Sequence, residues 1–271
     1  MSDRIRPFTK ALAIVILPFL AVAVVLLYGL PTRTDELFAW TINPPLSAMF
    51  LASAYVGGIW FFAQVLRQRA WHRVARGFPA VVAFASLASA ATFLHWDKFH
   101  FGHISFVTWV VLYVTTPFLV LVALLRNRSQ DSGRAERRDF AIPRGWRVLL
   151  AAVGAASLVT GVVLFVAPQP LVDTWAWQLT PLTARILGAI LTLPGMVNLW
   201  MLRDARWSAF RWVFQAQIVS LVFLLGALVI ARADLDWSRP VTPVVVGGLA
   251  FSLLAYVAFY AWCERRVRPD R

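Results

Sequence analysis

The chain has 271 residues, of which 60% are hydrophobic and only 14% charged, which lies outside the usual range of soluble domains. A formal net charge of +13 would suit a nucleic-acid partner, but the charges sit mostly in loops between long apolar runs, a distribution that reads as a membrane-topology signal. No nucleic-acid partner is expected, and the composition points to an all-α integral membrane protein.

Eight apolar runs follow one another, at about 9–30, 46–66, 77–95, 104–125, 148–167, 182–202, 212–231 and 241–262. Each is close to the roughly 20 residues needed to cross the hydrocarbon core, and none contains Asp or Glu. The first run, preceded by Arg4, Arg6 and Lys10, is long for a signal peptide and has no clear small-residue cleavage site. It is read as a retained helix. Between the first and second runs, and again between the fifth and sixth, Asp35 or Asp173 is expected to cap a short helix whose Phe38 and Trp40, or Trp175 and Trp177, face the bilayer interface, before proline opens the next helix.

The third run, rich in Ala and Ser, ends at His95-Trp96-Asp97-Lys98-Phe99-His100-Phe101-Gly102-His103, which holds three of the four histidines. Imidazole and carboxylate suit a transition metal. On a continuous helix, at 100° per residue, the four side chains would spread over about 200°. Convergence of His95, Asp97, His100 and His103 on one ion therefore requires a bend, which Gly102 permits. The other reading is a polar interfacial loop.

Residues 126–147 are polar and charged, as expected of a mobile connection. Beyond them the first half recurs. Pro31, Glu36, Phe38-Ala39-Trp40 and Ile42 match Pro168, Asp173, Trp175-Ala176-Trp177 and Leu179 at an offset of 137 residues. Pro45-Leu46-Ser47-Ala48, Leu51, Arg67, Trp71 and Phe78 match Pro181-Leu182-Thr183-Ala184, Leu187, Arg203, Trp207 and Phe214 at 136. The sequence thus predicts two tandem four-helix repeats, 1–125 and 148–271, in parallel duplication around a linker. Small residues in the third and fifth runs, with Gly57-Gly58 and Gly247-Gly248, mark four helices expected at the bundle centre.

Assigning loops to alternate sides places 21 Lys and Arg on the side of both termini and 5 on the other. By the positive-inside rule both termini are cytoplasmic, facing anionic lipid headgroups. Arginine outnumbers lysine 24 to 2, as in GC-rich bacterial genomes, which suggests the bacterial plasma membrane. Cys263 is the only cysteine, so no intrachain disulfide and no Cys-based metal motif exists.

Few residues offer chemistry. Apart from Lys10 at the edge of the first run, Arg185 is the one clear charge within a run and has Asp173, Asp234 and Asp236 as expected partners. Tyr55, Asn198, Gln215 and Gln217 are uncharged polar groups at depth, expected to line any cavity between the halves. Pro18, Pro117 and Pro194 lie near span centres. No phosphate-binding loop, His-Glu-x-x-His or nucleophile elbow is present. The sequence favours a non-catalytic protein that binds or translocates a small apolar or lipid-like molecule, or that serves as partner in a membrane complex or homo-oligomer. The alternative is a metal- or haem-binding enzyme using the His95–His103 cluster, with Arg185 holding an anionic group.

Overall fold

Eight helices of membrane-spanning length organise the computed structural model, which describes residues 3–137 and 139–267. They are α1 (Pro7–Val24, continued by a π-helical turn Val25–Gly29), α2 (Pro45–Arg67), α3 (Phe78–Leu94, led by a turn at His72–Ala75) and α4 (Ile104–Asn127). The second set is α5 (Arg144–Val166), α6 (Pro181–Trp200), α7 (Trp207–Ile230) and α8 (Val241–Glu264). Each predicted run falls on one of them. Pro7, Pro45 and Pro181 open α1, α2 and α6, where the missing N–H has no intrahelical acceptor to lose. Asp234, from the α7–α8 loop, accepts the Leu46 N–H at 2.9 Å and places an anion at the α2 N-terminus. No β-strand occurs among the described residues.

The helices pair in two rows. In one, α1 packs on α2, α2 on α7 and α7 on α8; in the other, α5 packs on α6, α6 on α3 and α3 on α4. Each row therefore combines the first two helices of one half with the last two of the other. α2 touches α6 across the middle, and these two are the most buried helices. The closest crossing joins α5 to α6: a Cβ at Gly188 would lie 2.5 Å from the Gly161 carbonyl oxygen, and one at Gly161 would lie 2.7 Å from that of Gly188. Backbones this close gain dispersion contacts, the main source of helix adhesion in lipid.

The expected centre needs correction. α8 is the least buried helix, and nothing lies within 4 Å of a Cβ built at Gly247 or Gly248. α6, whose Gly188 and Gly195 drive the crossing, was not among the expected central helices. A glycine pair signals close approach only where a second helix is present to approach.

The aromatic segments also depart from expectation. Phe38, Trp40, Trp175 and Trp177 are at most 7% exposed, so they are core residues and not a lipid-facing belt. They fold inward as aromatic plugs at the face opposite the termini. Trp177 Nε1 donates to Ser47 Oγ at 2.9 Å, and Trp40 packs edge-on against Trp109. Neither Asp35 nor Asp173 caps a helix: the short turns are Thr34–Leu37, preceded by Arg33, and Gln169–Val172, which stops before Asp173.

The 126–147 connection is packed, contrary to the expectation of a loose tether. Ile142 N–H donates to Ala205 O at 2.7 Å, and Asp139 accepts from the Ser208 hydroxyl at 2.5 Å. Asp131 bridges Arg76 and Arg206 at 3.0 and 2.8 Å, and Asp204 pairs with the same two guanidiniums at 2.6 and 2.7 Å. The acids of the linker and of the α6–α7 loop are the counter-charges of arginines in the α2–α3 and α6–α7 loops, a match that composition alone conceals.

Main-chain bonds outside the helices recur with the sequence offset. Ile5 N–H donates to Arg69 O at 2.9 Å and Trp71 N–H to Asp3 O at 3.2 Å; Ile142 donates to Ala205 O at 2.7 Å and Trp207 to Phe140 O at 3.2 Å. At the opposite face His100 N–H meets Ala39 O, and Asp236 N–H meets Ala176 O, both at 2.9 Å.

Candidate functional site

Two central helices flanked by α3 and α7 leave space between them at mid-depth. The result is a cavity of about 280 Å³ lined by side chains from all eight helices. Among the described residues, none that lines it is charged. Its walls are aliphatic and aromatic, with a few polar groups whose hydrogen bonds can be followed one by one.

Most of those groups are satisfied by backbone carbonyls or by one another. Ser53 donates to Met49 O at 2.8 Å, Ser157 to Leu191 O at 2.9 Å and Ser252 to Gly248 O at 2.7 Å. The Tyr55 and Tyr113 hydroxyls share one bond at 2.7 Å, which uses one of their two protons. Asn198 Nδ2 donates to the Tyr256 hydroxyl at 2.7 Å, but Asn198 Oδ1 is buried with no partner. At Gln217 both Oε1 and Nε2 are buried and unpartnered. Leaving a buried amide unbonded costs about 1–3 kcal/mol by protein mutational data, so these groups mark where a ligand atom would be welcome. Pro194 also lines the cavity and, lacking an N–H, leaves the Ile190 carbonyl without its usual helical donor.

Of the four deep polar residues named from sequence, the structure brings Tyr55, Asn198 and Gln217 to this one cavity. Gln215 is elsewhere on α7: its Oε1 accepts from Trp60 Nε1 at 3.1 Å and its Nε2 donates to the Tyr260 hydroxyl at 2.5 Å. The helical period places residues 215 and 217 on different faces, which sequence spacing alone indicates but does not orient.

Arg185 meets none of its expected acids. Its Nη1 donates to His95 Nε2 at 2.5 Å, linking α6 to the end of α3, while its Nε is buried without a partner. Asp234 is engaged with α2, and Asp236 pairs with Arg239 at 2.8 Å. Burial, and then the Arg185 charge, hold the His95 imidazole below its ordinary pKa, so the neutral ring that accepts this bond is the favoured form.

The histidine cluster does not converge. His100 Nδ1 donates to Phe38 O and its Nε2 accepts from the Thr41 hydroxyl, both at 3.0 Å. His103 caps α4, with Nδ1 2.6 Å from Ser105 Oγ. Asp97 is exposed and pairs with Lys98 at 2.9 Å. Gly102 does bend the chain, with φ of +81°, but the bend sends the side chains to separate partners. Among the described residues no group of three or more His, Cys, Asp and Glu is placed to hold a metal ion.

The fourth histidine was missed. His72, only 4% exposed, has Nδ1 2.5 Å from Asp3 Oδ2 and Nε2 2.9 Å from Glu136 Oε1. The His72 and Arg73 bonds hold the Glu136 carboxyl down to about 2, against the opposing effect of burial. No local motif announces this triad, because its members lie in three distant segments.

Comparison with protein-family models, with curated proteins and with solved structures finds no match to this chain. What the fold defines is a class: an all-helical, multi-pass protein with eight helices fit to cross a membrane.

Proposed function

We propose that this protein binds, and passes across or along the membrane, a small and largely apolar molecule held in the central cavity. The observation that carries the proposal is the Gln217 amide, buried without a partner on a chamber of about 280 Å³. The absence of charged lining residues argues against ions and strongly charged metabolites, whose desolvation would go uncompensated. An apolar body bearing one group that both donates and accepts hydrogen bonds fits the chemistry of Gln217, Asn198 and the Tyr55–Tyr113 pair.

The two-row packing and the main-chain bonds repeated at 136 or 137 residues support a tandem duplication, with 1–125 and 148–271 as its copies. In this proposal both termini face the cytoplasm of a bacterial cell, on the arginine-rich side that contacts anionic headgroups. The deep polar residues that distinguish the halves make the cavity asymmetric, as a site adapted to one ligand requires.

A binding assay with 1-aminoanthracene, an apolar fluorophore carrying one amine, tests the proposal in lipid nanodiscs. Saturable binding to the native protein, lost in an Ala54→Phe variant that fills the chamber, is expected. Partitioning that never saturates, or that the variant leaves unchanged, would refute it.

A further inference from the structure

The eight helices do not close the cavity equally. Beside the packed pairs lie two looser junctions, α1 against α4 and α5 against α8, the latter met through ring contacts. Both are fastened near the face that carries the termini. Asn127, at the end of α4, donates to Thr9 Oγ1 at 2.7 Å and accepts from Arg6 N–H at 3.0 Å, while Arg126 lies over the Phe8 ring at 5.1 Å. Correspondingly, Trp146 at the start of α5 packs on Phe259 and Trp262 near the end of α8, with centroids 5.3 and 5.8 Å apart.

Farther into the bilayer the fastening gives way to cavity wall. Phe19 and Thr116 line the chamber at one junction, Ser157 and Ser252 at the other. Phe19 is 40% exposed while it lines the cavity, so it stands at an opening. One turn from Ser252, a Cβ built at Gly248 meets nothing within 4 Å. Both aqueous ends, by contrast, are obstructed. The terminal face is crossed by the linker, tied down by Asp131 to Arg76 and Arg206, and by the Arg76–Asp204 pair between the α2–α3 and α6–α7 loops, and the other face by the buried Trp40 and Trp177 plugs.

We infer that the cavity exchanges its ligand sideways with the hydrocarbon of the bilayer, through clefts between α1 and α4 and between α5 and α8. The inference rests on the ligand-binding proposal above and narrows the substrate class. The ligand is a membrane-dissolved amphiphile whose apolar body enters between aliphatic walls and whose one small polar group reaches Gln217.

The test is nitroxide accessibility in lipid nanodiscs. Thr116→Cys, Ser157→Cys and Ser252→Cys would each be labelled in a Cys263→Ser background, with Cys263→Ala in parallel because this residue is fully buried. Phe118→Cys, at a position 67% exposed, serves as the bilayer-facing reference. Collisions with oxygen, which concentrates in hydrocarbon, are compared with collisions with a water-soluble nickel chelate. Lateral exchange predicts oxygen accessibility near that of the reference and severalfold above that of the chelate, at both junctions. Greater access to the chelate would establish an aqueous route, and low access to both would establish a sealed cavity; either result overturns the inference. The readout needs no bound ligand, so failure of the clefts is distinguishable from failure of ligand binding.

Discussion

Asn198 on α6 donates its amide N–H to the Tyr256 hydroxyl on α8 across 2.7 Å, fixing the least buried helix to one of the two most buried. Interhelical bonds of this kind contribute about 0.6 kcal/mol on average and about 1.7 at most. Tyr256→Phe should therefore lower stability within that range in a reversible detergent-unfolding titration. It should leave the α5–α6 crossing intact, because that crossing depends on backbone proximity.

The glycines make a sharper contrast. Gly188→Ala places a methyl 2.5 Å from the Gly161 carbonyl oxygen, and backbone cannot step aside without separating the helices. A loss of about 1–3 kcal/mol is expected, typical of overpacking. Gly247→Ala faces open space and should be neutral or stabilising by about 0.5–1 kcal/mol through helix propensity. The same unfolding titration separates the two.

His95 titrates with a defined sign. Its folded pKa lies below its ordinary value near 6.5, so folding favours the neutral ring. The stabilisation is complete above about pH 6.5 and declines as pH falls below it. NMR titration of the imidazole should find a midpoint below that of an exposed histidine. Arg185→Gln should raise it by removing the neighbouring charge.

The terminal face responds in a different window. Burial alone would raise the Asp204 carboxyl, but hydrogen bonds from Arg206 and the charge of Arg76 outweigh it and hold the group down to about 2. Its contribution is present above about pH 4 and is lost as pH falls toward 2. Asp204→Asn breaks the pairs with both arginines and should cost about 3 kcal/mol. It should also open the linker to trypsin at Arg134 and Arg137, whereas the native linker resists cleavage at the same protease dose.

The eight spans were legible because apolar length is a local property, and each predicted run lies on one helix. Tyr55, Asn198 and Gln217 were legible as deep polar residues, since few groups of that kind occur in such spans. Gln215 was not separable from them until the face of α7 was known. The plugs at Trp40 and Trp177 escaped because an aromatic at headgroup depth has the same local sequence whether it turns toward lipid or inward. The packed linker and the His72–Asp3–Glu136 triad escaped because ion pairing among distant loops leaves no periodic trace.

The most direct test of the central claim is native mass spectrometry of the protein purified from its own membranes, beside Gln217→Leu. Leucine keeps the bulk of the side chain and removes only the donor and acceptor. The account predicts a discrete bound species of constant mass on the native protein, largely lost from the folded variant. A native protein that carries nothing beyond annular phospholipid, or a variant that keeps the same species at the same occupancy, would contradict it.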